Sequence, residues 1–263
     1  MDILPRNRAS RRLRRTAVVL WVCCVGGCAN PETPIDRLCG EHLIWLFPGV
    51  EGGSWSMSKV ARAIRDAGIE ADIRIHDWER PLGVIRNLTA VERNRRSAQL
   101  IADWIVHYHR SHPRAPIDLV GYSGGGGMAL MTAEALPPTV RVRNVVLVHP
   151  AVSPEYDLTP AVRHLDGVLV NFWSELDVVM LGMGTTVFGT MDRRHGASAG
   201  MRGFDPDAAL SDPTLRSRLV QRKWTWKAAH AGHVGLHLCI LLYDWNREYV
   251  VPYLTPPPAR RRG

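Results

Sequence analysis

The chain predicts an α/β fold, a mostly parallel central sheet with helices on both faces, and three observations carry that reading. Short apolar runs recur at residues 42–47 ("HLIWLF"), 117–123 ("IDLVGYS"), 142–150 ("VRNVVLVHP") and 167–174 ("GVLVNFWS"). Helical patterns separate them. The runs are apolar without alternation, as strands buried on both faces must be, and helices are what bury them.

In chain order, "HLIWLF" reads as the first buried strand, stopped by Pro48 and Gly49. Residues 56–68, "SMSKVARAIRDAG", place Val60, Ala63, Ile64 and Ala67 at helical spacing, and Gly68 closes the helix. "IEADIRIHDW" alternates as a strand. "VERNRRSAQLIADWIVHYHRSHP" is a long helix with Ala98, Ile101, Trp104, Ile105 and Tyr108 on one face, ended near Pro113. "IDLVGYS", "GGGGMALMTAEAL", "VRNVVLVHP" and "GVLVNFWS" continue as strand, helix, strand and strand. Residues 178–210 are irregular, rich in Gly and Met. "KWTWKAA" is expected as the last strand, and "GLHLCILLYDWNREYVVPYL" opens a closing helix.

The net charge of +8 belongs to the termini. Six arginines and Asp2 within residues 1–15 give +5, Arg260, Arg261 and Arg262 give +3, and the body is neutral. Nucleic-acid binding needs basic residues on the folded surface, so that class is excluded. The basic start, the apolar run "TAVVLWVCCVGG" and the small residues after it describe an export signal over residues 1–27. The run is short of the roughly 20 apolar residues that span a bilayer. "VGGC" resembles the lipobox of bacterial lipoproteins, which implies cleavage before Cys28, lipidation of its thiol and attachment to a membrane surface of the cell envelope. Residues 28–40 then form a linker, residues 41–254 the globular domain and residues 255–263 a basic disordered tail. Cys39 and Cys239 either pair or stay separate thiols.

"GYSGG", Gly121 to Gly125, fits G-x-S-x-G between an expected strand and an expected helix. There the motif has a physical meaning. A sharp turn lifts the Ser123 hydroxyl out of the sheet, flanking glycines avoid collisions, and the helix N-terminus favours an oxyanion. Neither a Walker-type nor a dinucleotide glycine pattern is present. A serine nucleophile needs a base oriented by an acid, in the chain order Ser, acid, His.

At this point residues 41–254 resemble the α/β-hydrolase superfamily. The resemblance implies an α/β-hydrolase fold and maps the acid to Asp177 in "WSELDVV", with Glu175 and Asp157 as lesser candidates. It maps the base to His233 in "HAGHVGLH", with His230 and His237 expected to be structural. It places the oxyanion donors at Gly124 and, from the turn "LFPGVEGGS", at Val50. A metal held by His230, His233 and His237 is disfavoured, because no H-E-x-x-H helix is present; no metal or organic cofactor is implied. Residues 180–204, with Met180, Met183, Met191, Met201 and Phe188, form either an adaptable apolar lid or an excursion packed on the sheet.

These features imply a serine hydrolase of carboxylesterase or lipase type, cleaving a small acyl-ester or lipid-like substrate through an acyl-enzyme. Thioesterase or amidase chemistry would use the same residues. A rival of another class is a non-catalytic envelope protein that keeps the fold and binds a ligand in the cleft.

Overall fold

The computed structural model describes residues 42–51, 53–78, 83–178 and 185–256. Contacts divide the chain into Met1–Asn30 and Pro31–Gly263, and every described residue lies in the second unit. The expected signal, linker, Cys28, Cys39 and residues 257–263 of the expected tail lie outside the described residues, as do Met180 and Met183, while Thr255 donates its N–H to Val251 O at 3.1 Å. No described helix is long and apolar enough to cross a membrane.

Six strands form one sheet: β1 (Leu43–Phe47), β2 (Asp72–Ile75), β3 (Ile117–Tyr122), β4 (Asn144–Val148), β5 (Leu169–Trp173) and β6 (Leu219–Lys223). Their order is β2-β1-β3-β4-β5-β6, and every pairing is parallel. Alternate residues of β1 enter opposite cores, Leu43, Trp45 and Phe47 on one face and Ile44 and Leu46 on the other. That is why the run is apolar without a period.

Helices α1 (Ser58–Asp66), α2 (Val84–Thr89), α3 (Val91–Ser111) and α4 (Gly124–Glu134) follow in the first half. Helix α1 and the C-terminal segment cover one face; α3 and α4 cover the other. Helix α3 buries Ala98, Ile101, Ala102, Ile105 and Tyr108. Trp104, expected on that face, stays partly exposed, and Ala102 takes the place beside Ile101. Helix α4 is buried from Gly124 to Ala133, so it carries no polar face.

Two expectations about the second half change. The last strand is the polar edge strand "LVQRK", while "KWTWKAA" leaves the sheet and forms a 3-10 turn at Trp226–Ala231. The closing helix breaks into short pieces, beginning with a 3-10 turn at His237–Leu241. The described part of the expected lid is an excursion held to the body. Met191 is fully buried against α4 at Gly127, and Ala199 and Phe204 join the same core. Backbone bonds from Met191 to Ala151, Ala199 to Val152 and Gly200 to Pro150 fix it, at 2.9, 2.7 and 3.0 Å.

At the N-terminal edge of the sheet, Asp118 is fully buried and takes hydrogen bonds from His42 Nε2 at 2.7 Å, Arg143 Nε at 3.0 Å and the Asn144 N–H at 2.9 Å. Removing one side of such a network strands the buried partner. Asp118→Ala should therefore lower unfolding stability by about 3–5 kcal/mol in urea denaturation.

Candidate active site

Ser123 stands between β3 and α4 with φ 53° and ψ −122°, a backbone conformation that L-residues rarely adopt. The strain is held by a bond from the Ser123 N–H to Val148 O and another from the Ala151 N–H to Ser123 O, both 3.0 Å. The glycines after it are set by close approach. A Cβ at Gly125 would strike the carbonyl oxygens of Phe47 and Pro48, and one at Gly124 would strike Val50 Cγ1 and lie 3.3 Å from Trp78. The turn after β1 thus lies directly against the start of α4, and it brings the Val50 side chain, the second expected oxyanion position, onto Gly124.

Asp177 follows β5 in a turn closed by its own N–H on Ser174 O at 3.1 Å. The histidine brought to both groups is His237. Its Nε2 lies 3.0 Å from Ser123 Oγ and its Nδ1 lies 2.6 Å from Asp177 Oδ2. All three side chains are buried. His233, the expected base, makes neither contact. The 3-10 turn at Trp226–Ala231 uses up the segment expected to be strand, so the loop after β6 reaches the serine four residues later. His233 Nδ1 instead accepts the Gly235 N–H at 3.2 Å, with its ring packed edge-on against Trp245. His230 pairs with Glu248 at 2.7 Å on the surface. The lesser acids are occupied elsewhere: Glu175 pairs with Lys223 at 2.7 Å, and Asp157 accepts the Thr159 N–H at 3.0 Å.

A fourth residue joins the array. His149, at the end of β4, has φ 48° and no solvent exposure, and its Nδ1 lies 2.6 Å from the same Oδ2 of Asp177 that His237 uses. Its one advance signal is position, since the C-terminal ends of parallel strands are where such folds gather functional groups.

Burial alone would raise the Asp177 carboxyl, but the bonds from His149 and His237 outweigh it and hold the pKa at about 2. An ionised Asp177 only accepts, so both histidines donate from Nδ1. The proton of His237 therefore sits on Nδ1, and its Nε2 lone pair faces the Ser123 hydroxyl. Burial lowers the pKa of His149, opposed by its bond to Asp177. Burial, reinforced by His149, pushes His233 down to about 3.

No protein-family model matches the chain, and neither does any curated protein. Among solved structures, lipase B of Aspergillus fumigatus matches with TM-score 0.50 and 14% identity, over 84% of this chain and 54% of the lipase. The fold is the α/β-hydrolase fold. A cutinase-like protein of Cryptococcus sp. matches at 12% identity and TM-score 0.43, over 83% and 95% of the two chains. Dienelactone hydrolase of Anabaena variabilis matches at 16% and 0.44, over 81% and 85%.

Exposed apolar residues flank Asp177 and His237 in the two loops that carry them. Leu176 and Val178 are exposed on either side of Asp177, and Val234, Leu236 and Leu238 are exposed around His237. A Cβ on Gly235 would come within 2.7 Å of Leu176, so the two loops adjoin. The buried polar groups thus open beneath an apolar rim.

The buried neutral histidines also set an acid limit. Their folded pKa values lie below the unfolded value near 6.5, so the unfolded chain binds more protons once pH falls below it. Stability should be full above pH 6.5 and fall progressively toward pH 3. A further loss should follow between pH 3.8 and 2 as Asp177 protonates. Urea midpoints measured against pH should show the first decline, and His233→Gln should flatten it.

Proposed function

We propose that this protein is a serine hydrolase that cleaves carboxylic esters with an apolar acyl group through an acyl-enzyme. The observation that carries the reading is the unbroken chain Ser123 Oγ, His237 Nε2, His237 Nδ1, Asp177 Oδ2, with links of 3.0 and 2.6 Å in a buried, strained turn. As Ser123 Oγ attacks the ester carbonyl, its proton passes to His237 Nε2. The Asp177 carboxylate stabilises the imidazolium that forms, and His237 then gives the proton to the departing alkoxide. The Gly124 N–H at the start of α4 and the Val50 N–H in the adjoining turn after β1 serve as oxyanion donors in this reading. Water then gives a proton to His237 as its oxygen attacks the acyl carbon, and His237 returns that proton to Ser123 Oγ as the acid leaves.

The apolar rim favours an acyl or lipid-like substrate over a polar one, and the fold shared with a lipase agrees with that preference. Export, with Cys28 lipidated at the envelope surface, is part of the same proposal. A fluorophosphonate should label wild-type protein at Ser123. p-Nitrophenyl esters should be cleaved with kcat/KM rising from acetyl to medium acyl chains. No label on well-folded protein would turn the assignment to a ligand-binding role, and a preference for acetyl alone would remove the lipid-like substrate.

A further inference from the structure

We propose that His149, His233 and Cys239 form a binding site for one zinc ion, and that filling it suppresses turnover at Ser123. The regulatory half rests on the hydrolase reading above; the binding half does not.

The three residues come from three places in the chain, the end of β4, the loop after β6 and the 3-10 turn at His237–Leu241, and all are buried. Their donor atoms lie within 4.8 Å of one another. Tetrahedral zinc with N and S ligands at about 2.0–2.3 Å holds its donors about 3.3–3.8 Å apart. Closing the site needs the donors to draw together by at most about 1.5 Å. Two imidazoles and a thiolate are a donor set that suits zinc better than magnesium or calcium.

A second observation points to a ligand. His149 spends its Nδ1 proton on Asp177, which leaves Nε2 as a bare lone pair. That atom is buried and has no hydrogen-bond partner among the described residues. Such an orphan carries a desolvation cost that a metal would remove. A carboxylate that orients one ring nitrogen while the other binds metal is the usual outer support of zinc histidines, and Asp177–His149 already has that form. There is also a route in. A cavity of about 360 Å³, walled by Phe172, Trp224, Trp245 and Tyr249, reaches His149 and His233, with Cys239 behind them outside its lining; Ser123, Asp177 and His237 do not line it either.

Binding is acid–base chemistry without redox. The Cys239 S–H bond breaks, its proton goes to solvent, and a Zn–S bond forms. The His149 ring keeps its Nδ1 proton. His233 gives up the 3.2 Å contact from Gly235: ligation through Nε2 moves its proton to Nδ1, and ligation through Nδ1 displaces the N–H. One thiolate leaves the site with a net charge of +1. The His149 and His237 ring centres are 5.9 Å apart, so this charge opposes the imidazolium that His237 must become. Zinc also polarises His149, tightening its hold on the Asp177 oxygen that His237 shares.

The test uses the full chain, purified with chelator and titrated with Zn²⁺ and Co²⁺ beside Cys239→Ala and His233→Gln. Expected are one zinc per chain, a near-ultraviolet thiolate–cobalt band, and ester hydrolysis reduced at least about tenfold and restored by chelator. Cys239→Ala should lose the band, bind zinc roughly 100-fold more weakly and hydrolyse ester in zinc as it does without. His233→Gln should weaken zinc similarly while keeping the band at high cobalt. Absence of binding, binding undiminished in both variants, or saturation with unchanged hydrolysis would each overturn the proposal. The stoichiometry and the band need no substrate, so an inactive protein that still shows them would count against the hydrolase reading and leave the metal site standing.

Discussion

His237→Ala should lower kcat/KM for an activated ester by roughly 10⁴-fold or more, as losing the base of a serine triad does, and Ser123→Ala should match it. His233→Ala should stay within about tenfold of wild type. The contrast follows from geometry. His237 is 3.0 Å from the serine oxygen and 2.6 Å from the carboxylate, whereas the His233 ring accepts a backbone N–H of its own loop at 3.2 Å. His233 is also held neutral far below neutral pH by burial, which is unsuited to a base that must accept a proton each turnover. The two alanine variants must first be shown folded by circular dichroism, because His233 packs against Trp245. Fluorophosphonate labelling should fail in His237→Ala and persist in His233→Ala. If the activities came out reversed, the loop after β6 would have to adopt another arrangement when substrate binds.

The uneven legibility of this site has a physical origin. Ser123 could be read from sequence because its signal is local: a buried strand, a G-x-S-x-G turn and a glycine-rich helix start lie within a dozen or so residues. Asp177 could be read because β5 is a strongly apolar strand, so its end, and the turn after it, are well marked. The histidine was displaced because β6 is a sheet edge. Its residues "LVQRK" are largely polar, while the aromatic segment that follows has the composition of a strand without being one. Past that point the chain runs through 3-10 turns, which carry no long apolar period to read. Met191 shows why a lid and a packed excursion read alike: a methionine facing α4 in the core and one lining a pocket look the same in sequence. His149 left no trace beyond its place after a strand, because its backbone conformation and its bond to Asp177 are products of tertiary packing.

Asp177 should show an unusual order among its variants. In a triad where the acid meets a single histidine, an asparagine can present its amide and trap the imidazole in the wrong tautomer, at a cost of about 10⁴ in kcat. Here two Nδ1–H donors converge on one oxygen, each at 2.6 Å. An asparagine at this position gains two hydrogen bonds by turning its carbonyl oxygen toward them. Turning its NH2 inward would force both histidines to change tautomer and would set donors against donors. Asp177→Asn should therefore keep His237 correctly protonated and lose only the negative charge that stabilises the imidazolium. Asp177→Ala loses the charge and the orientation of both rings, and should fall by roughly 10⁴-fold. We expect Asp177→Asn to retain at least ten times the kcat of Asp177→Ala, an arbitration of about 1.4 kcal/mol in transition-state energy. Adding His149→Phe to Asp177→Asn should remove that margin, since the second donor that fixes the amide is gone, whereas His149→Phe alone leaves the carboxylate to orient His237. Equal activity of the asparagine and alanine variants would show that the shared oxygen does not control the tautomer.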